Sequence, residues 1–151
     1  MIEIKIENRV GDVFQVLIDD EDLHFFINRR WAVDSFGYVR CSSSWDRLHR
    51  VVMKASCGQL VDHADGNKLN NQKSNLRVCT NAQNLQNRGA NRNNSSGKKG
   101  VYFNKRSGKW IAQIGVGKKR IHVGTFNDVN DAGEAYKEAA IRLHQEFART
   151  E

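Results

Sequence analysis

The chain has 151 residues, 39% of them aliphatic or aromatic, no proline and three well-separated cysteines. That length suits one domain or two small ones, and no run approaches the ~20 apolar residues a membrane span needs. Lys and Arg outnumber Asp and Glu by 24 to 17, and the surplus is local: residues 88–125 carry ten basic side chains and no acidic one.

Such a block is an electrostatic footprint for a polyanion. Residues 1–48 and 126–151 each carry a net charge of −3, and residues 49–87 a net of +3. Cys41, Cys57 and Cys79 include no CxxC pair, which argues against a disulfide framework or a Cys-built zinc site and for a reducing cytoplasm. The first residues alternate charged and apolar, without the apolar core of a signal peptide, so secretion is not expected.

In chain order, residues 1–48 read as short antiparallel strands. Val13 to Ile18 is an apolar run closed by Asp19, Asp20, Glu21 and Asp22. Phe25-Phe26-Ile27, Trp31-Ala32-Val33 and Tyr38-Val39-Arg40 follow as further strands, with Gly37 in a turn. The acidic cluster is expected to be an exposed turn or a helix N-terminus, and the whole region scaffold.

From Leu48 to Met53 the chain reads as a short helix, and Gln59 to His63 as a strand ending at Asp62-His63. Residues 64–74 are a loop of turn formers, Asn75 to Cys79 a second strand, and Thr80 caps a helix from Asn81 to about Asn87. Cys57 and Cys79 are expected in the core, since neither has an activating partner. His49 is expected to be a helix residue satisfied by backbone contacts. Residues 88–97 read as a flexible polar linker. Three strands come next, near 100–103, 109–114 and 119–123, and then a helix from Asp128. Its Ala132, Ala135, Tyr136, Ala139, Ala140, Leu143 and Phe147 recur at helical spacing. Trp110, Ala112 and Ile114 should pack beneath that helix, with Lys109, Ile111, Gln113, Arg120 and His122 facing outward.

Asp62 and His63, then Asn75, then Asn84 mark the strand–loop–strand–helix order at separations of twelve and nine residues. With Val61-Asp62-His63-Ala64-Asp65-Gly66-Asn67, Ser74-Asn75-Leu76-Arg77-Val78 and Asn81-Ala82-Gln83-Asn84, the segment resembles the HNH nuclease family in its phage homing-endonuclease branch. The resemblance spans most of residues 13–87. It implies a ββα-metal fold with His63 as general base, Asp62 and Asn84 as ligands to Mg²⁺ or Mn²⁺, and Asn75 as the residue that orients His63 through its loop. Physical chemistry agrees: two hard oxygen donors suit such a cation, and imidazole, with an ordinary pKa near ~6.5, can take a proton from water at pH 7. Arg50 and Arg77 would touch phosphate. Asn84 stands where the family more often has histidine.

Residues 95–148, with Ser96-Gly97-Lys98-Lys99-Gly100-Val101-Tyr102, Lys109-Trp110-Ile111-Ala112-Gln113-Ile114 and Asp131-Ala132-Gly133-Glu134-Ala135-Tyr136, resemble the APETALA-type, ethylene-response-factor DNA-binding domain. That family lays a three-stranded sheet in the major groove. Outward readers would be Lys99, Tyr102, Asn104, Gln113, Arg120 and His122. Lys105, Arg106, Lys118 and Lys119, in the turns, would meet phosphates.

The expectation is an α+β protein. Residues 1–87 form an HNH nuclease domain with a β scaffold, 88–97 a basic linker, and 98–151 a three-stranded antiparallel sheet packed on one helix. Its activity would be metal-dependent cleavage or nicking of double-stranded DNA in a bacterial or phage-infected cell, as monomer or dimer. The rival is a non-catalytic DNA-binding protein with a degenerate nuclease fold, and behind it an RNA-binding module using Tyr102 and His122 to stack bases.

Overall fold

The computed structural model describes residues 1–8, 10–91 and 93–149; Arg92, inside the expected linker, and Thr150 and Glu151, at the end of the expected last domain, lie outside them, as does Arg9. The fold is mixed α and β, with four α-helices and several small antiparallel sheets among the described residues. The chain divides into two compact units, residues 1–81 and 82–151. No described helix is long and apolar enough to cross a membrane.

The first unit opens with a hairpin of β1 (Ile2–Glu7) and β2 (Val13–Ile18), paired from Ile2–Ile18 to Glu7–Val13. β1 (read above only as a charge alternation) is a half-buried strand whose Ile6 is buried while Glu3, Lys5 and Glu7 face outward. The acidic cluster then winds through a 3₁₀ turn, Asp20–Asp22, into α1 (His24–Ile27). Phe25-Phe26-Ile27 is therefore helical, which corrects the strand expectation. A short apolar triplet has no period of its own, and here the Phe26 amide donates back to the Leu23 carbonyl.

β3 (Trp31–Val33) pairs with β4 (Val39–Cys41), followed by α2 (Leu48–Val52). β5 (Leu60–His63) pairs with β6 (Leu76–Cys79), His63 opposite Leu76 and Asp62 opposite Arg77. Ile6, Val16, Ile18, Trp31, Val39, Cys41, Leu48, Val52 and Leu76 form one core. All three cysteines are free thiols, with Cys41 and Cys79 buried. Cys57 is exposed, correcting its core assignment, because it sits in a tight turn where the Gln59 amide donates to the Ser56 carbonyl.

The second unit contains nearly all of α3 (Asn81–Asn87) and a sheet in the order β7 (Val101–Asn104), β8 (Lys109–Val116), β9 (Lys119–Phe126). α4 (Val129–His144) covers one face. Asp128 caps it, its carboxylate accepting from the amides of Asn130 at 2.7 Å and Asp131 at 3.3 Å. Ala112 and Ile114 are fully buried against Ala132, Tyr136, Ala139 and Ala140. Gly100 lets the chain pass under Tyr136: its φ is +69°, and an added Cβ would lie 2.1 Å from the ring. Before β7 the chain is tied into this unit. Asn94 Nδ2 donates to the Lys98 carbonyl at 2.6 Å, and Ser96 Oγ to the Val101 carbonyl at 2.8 Å.

Candidate active site and nucleic-acid interface

Successive strand residues point to opposite faces, so Asp62 and His63 part company at the end of β5. Both are buried, 8% and 4% exposed, although a loop begins directly after them. On one face, Arg77 reaches across the hairpin, with Nη2 3.0 Å and Nε 3.3 Å from Asp62 Oδ2. Arg77 thus neutralises the carboxylate.

On the other face, His63 meets Tyr38 and His49. The His49 and His63 ring centroids are 5.0 Å apart, edge to face, and Tyr38 lies 5.2 Å from His49 and 6.1 Å from His63. Burial, first of all, lowers the His63 pKa below the ordinary value; the neighbouring Asn71, Asp65 and Asp62 pull it back up and Lys68 pushes it down. His49 is lowered to about 3, chiefly by burial and then by His63, Arg47 and Arg50. Both rings are neutral at pH 7. His49 Nδ1 is buried without a hydrogen-bond partner, so this residue is not the backbone-satisfied one expected. A histidine fourteen positions before another gives no local signal; only folding brings the rings together.

The loop beyond His63 is clamped at both ends. Asn75 Nδ2 donates to Asp65 Oδ1 and to the Asn70 carbonyl, both at 2.9 Å, and Asn75 Oδ1 accepts from the Asp65 amide at 3.0 Å. The N-terminal scaffold holds the far side. Leu17 exchanges backbone hydrogen bonds with Leu69 and Asn71, and Asp19 Oδ2 accepts from the Lys73 amide at 2.8 Å. That bond, above all, holds the Asp19 carboxyl below its usual range. Lys73 Nζ pairs with Glu21 and with Asp22. The acidic cluster is a loop clamp, a role its composition did not reveal.

Arg50, expected at phosphate, spends its guanidinium on the Gln59 and Ser56 carbonyls, holding the chain between α2 and β5. Asn84 is half-buried on α3. The described residues gather no three His, Cys, Asp or Glu side chains able to hold a metal ion.

In the second unit, Tyr102 pairs with Ile111 and Ile111 with Thr125, while Gln113 pairs with His122 and Gly115 with Arg120. A bulge between Ala112 and Gln113 shifts the register. Tyr102, Arg120 and His122 are exposed, as are Lys105, Arg106, Lys118 and Lys119 in the turns, and Gln113 is half-buried. Two expected readers turn inward. Lys99 Nζ donates to the Gln86 carbonyl, and burial lowers its pKa to about 8. Asn104 Oδ1 accepts from the amides of Arg106 and Ser107, shaping the turn.

The HNH endonuclease family model matches residues 46–86 and the AP2 domain model residues 96–146. The chain is also similar to Protein 3.8 of Escherichia phage T7, at 30% identity over 105 residues, which is 70% of this chain and 84% of that protein. No solved structure matches.

Proposed function

Because the chain belongs to one family with Protein 3.8 of Escherichia phage T7 and carries an HNH endonuclease domain followed by an AP2 domain, we propose that it is a metal-dependent endonuclease that nicks or cuts double-stranded DNA. The observation that carries this reading is a buried, neutral His63 beside Asp62, at the end of β5 and before a loop clamped by Asn75. β5, β6 and α3 are read as the ββα-metal unit. His63 takes the proton of the attacking water, for which a neutral ring is required. His49 and Tyr38 fix its plane by packing, and Asn75 fixes the backbone just beyond it.

HNH nucleases generally use a divalent metal, and the donor chemistry here fits one. Arg77 engages Oδ2 of Asp62, leaving Oδ1 as a hard donor, and Asn84 supplies an amide oxygen. With so few protein donors, water and DNA phosphate would complete the shell, which suits Mg²⁺ or Mn²⁺. When bound, the ion neutralises charge on the phosphate and the leaving oxygen. The exposed sheet and turn cations hold the duplex: Lys105, Arg106, Lys118, Lys119 and Arg120 meet phosphates, while Tyr102, Gln113 and His122 meet bases. The phage relative suits action in a phage-infected cell, with a mobile-gene (homing) role as one use.

Arg77 beside Asp62 also favours the rival reading, a DNA-binding protein whose nuclease site has been silenced by an internal cation. Incubation with supercoiled plasmid and Mg²⁺ or Mn²⁺, with and without EDTA, separates the two. The nuclease reading expects nicking that EDTA abolishes and that His63→Ala lowers by about 10²–10⁴-fold. Intact plasmid across a range of both metals would leave the non-catalytic reading.

A further inference from the structure

Trp45 is displayed against two costs. It is 73% exposed, and its φ of +63° lies in the left-handed region that a bulky side chain rarely occupies. Surrounding bonds hold that conformation. The Trp45 amide donates to the Cys41 carbonyl at 3.2 Å, the Cys41 amide to the Asp46 carbonyl at 2.8 Å, and Ser44 Oγ to Asp46 Oδ2 at 2.7 Å. A bridge between Arg40 and Arg47 closes the turn. Strain that is over-determined in this way points to a use for the side chain.

The surroundings indicate what that use is. The Arg40 guanidinium carbon sits 3.7 Å from the centre of the indole, covering one face, and the exposure leaves the other open. Arg40 Nε is buried without a hydrogen-bond partner. Arg40, Trp45, Arg47, Arg50 and the exposed Phe36 line a cleft of about 700 Å³ together with Asp34 and Asp46, and Arg47 Nη2 lies 3.6 Å from Asp34 Oδ2. Arg47 also stacks on Tyr38 at 4.3 Å, and Tyr38 packs against His63, so Tyr38 stands between the cleft residue Arg47 and the histidine cluster within one unit. A flat, rigid π-surface among guanidinium groups fits a nucleobase with its phosphates.

We propose that Trp45 is a stacking platform for an unstacked base of the DNA substrate, with Arg40 and Arg47 receiving the flanking phosphates. The proposal rests on the nuclease reading for its substrate class, and it gives the first unit a DNA contact of its own. An ordinary duplex offers no free base face, so the contact is made only where a base is unpaired or lifted from the stack.

The test uses the full chain in EDTA, so that binding is read without cleavage. Affinity is measured by fluorescence anisotropy for a short labelled duplex and for the same duplex with one unpaired base. The wild type should prefer the second. Trp45→Ala should erase that preference, weakening binding to the unpaired-base duplex by about 5- to 150-fold, the usual worth of stacking one base on an aromatic ring, and Trp45→Phe should keep much of it. Trp45→Gly relieves the backbone, so it should melt no lower than wild type while losing the same preference. The proposal is overturned if Trp45→Ala and Trp45→Gly bind both duplexes within about twofold of wild type, or if both duplexes lose affinity equally. A chain that nicks no plasmid yet shows the Trp45-dependent preference would refute the nuclease reading and uphold this one.

Discussion

His49 and His63 lie edge to face, ring centroids 5.0 Å apart, and both are buried. Two imidazoles at that distance cannot both carry charge cheaply: His63 adds to the burial that keeps His49 neutral, and burial lowers the His63 pKa in turn. Both rings are thus kept neutral at pH 7, at the expense of acid tolerance.

The first prediction is a pH dependence of stability. Both histidines have folded-state pKa values below their unfolded ones, about 3 for His49. The unfolded chain therefore binds more protons as pH falls below about 6.5, and stability drops from there toward the folded pKa. Each such histidine adds a slope of about 1.4 kcal/mol per pH unit within its window. His49→Phe keeps an aromatic ring in place and should remove one increment, seen as a shallower fall of the melting temperature between pH 6 and pH 4. An unchanged slope would mean that His49 is not held neutral.

A second prediction concerns Arg77. Arg77→Met removes the partner of a buried carboxylate and should destabilise the fold by about 3 kcal/mol, measured by urea denaturation. Asp62→Asn, which needs no counter-charge, should cost less stability but end any metal-dependent nicking. If Arg77→Met is as stable as wild type, the Asp62 carboxylate is not buried as described.

Asn75→Ala opens three hydrogen bonds in the loop next to His63. We expect a loss of about 1–3 kcal/mol, faster amide exchange at Asp65 and Asn75, and slower nicking with DNA affinity nearly unchanged. Asn75→Asp should be worse than alanine, because it sets a second carboxylate against Asp65. Wild-type exchange rates in the alanine variant would remove Asn75 from its clamping role.

In the second unit, Gly100→Ala must place a methyl group on the Tyr136 ring and adopt a left-handed backbone. Strain and overpacking together should cost about 2–4 kcal/mol. Gly100→Ala with Tyr136→Leu should recover part of the loss in thermal melting. Equal stability of both variants would show that the ring does not set the need for glycine.

Lys119→Glu with Arg120→Glu should weaken duplex binding without altering the melting temperature, since both side chains are exposed. Titration across salt concentrations should give a log–log slope shallower by about 0.9 for each phosphate that is no longer neutralised. A slope identical to wild type would remove these two from the DNA interface.

By itself the sequence determined what local chemistry can determine. Alternation in residues 109–114 and 119–123, helical spacing from Ala132 to Leu143 and the Asp128 cap all act within a few residues, and the sheet and α4 form there; the helix read through Phe147 ends at His144, where Gln145 takes a φ of +50°, and Phe147 closes a 3₁₀ turn. The same holds for α2 and for β5, β6 and α3, bounded by turn formers and Thr80. Asp62, His63, Asn75 and Asn84 were legible as a motif because their separations follow that order. Tertiary structure decided whatever depends on a partner distant along the chain. Phe25 and Phe26 pack on the core from a helical turn, and the acidic cluster beside them grips Lys73, some fifty residues on. Arg50, Arg77 and Lys99 read as free cations, yet each reaches a carbonyl or carboxylate that only the folded chain presents. His49 meets His63 for the same reason: a buried ring takes its neighbours, and its protonation, from the core that closes around it.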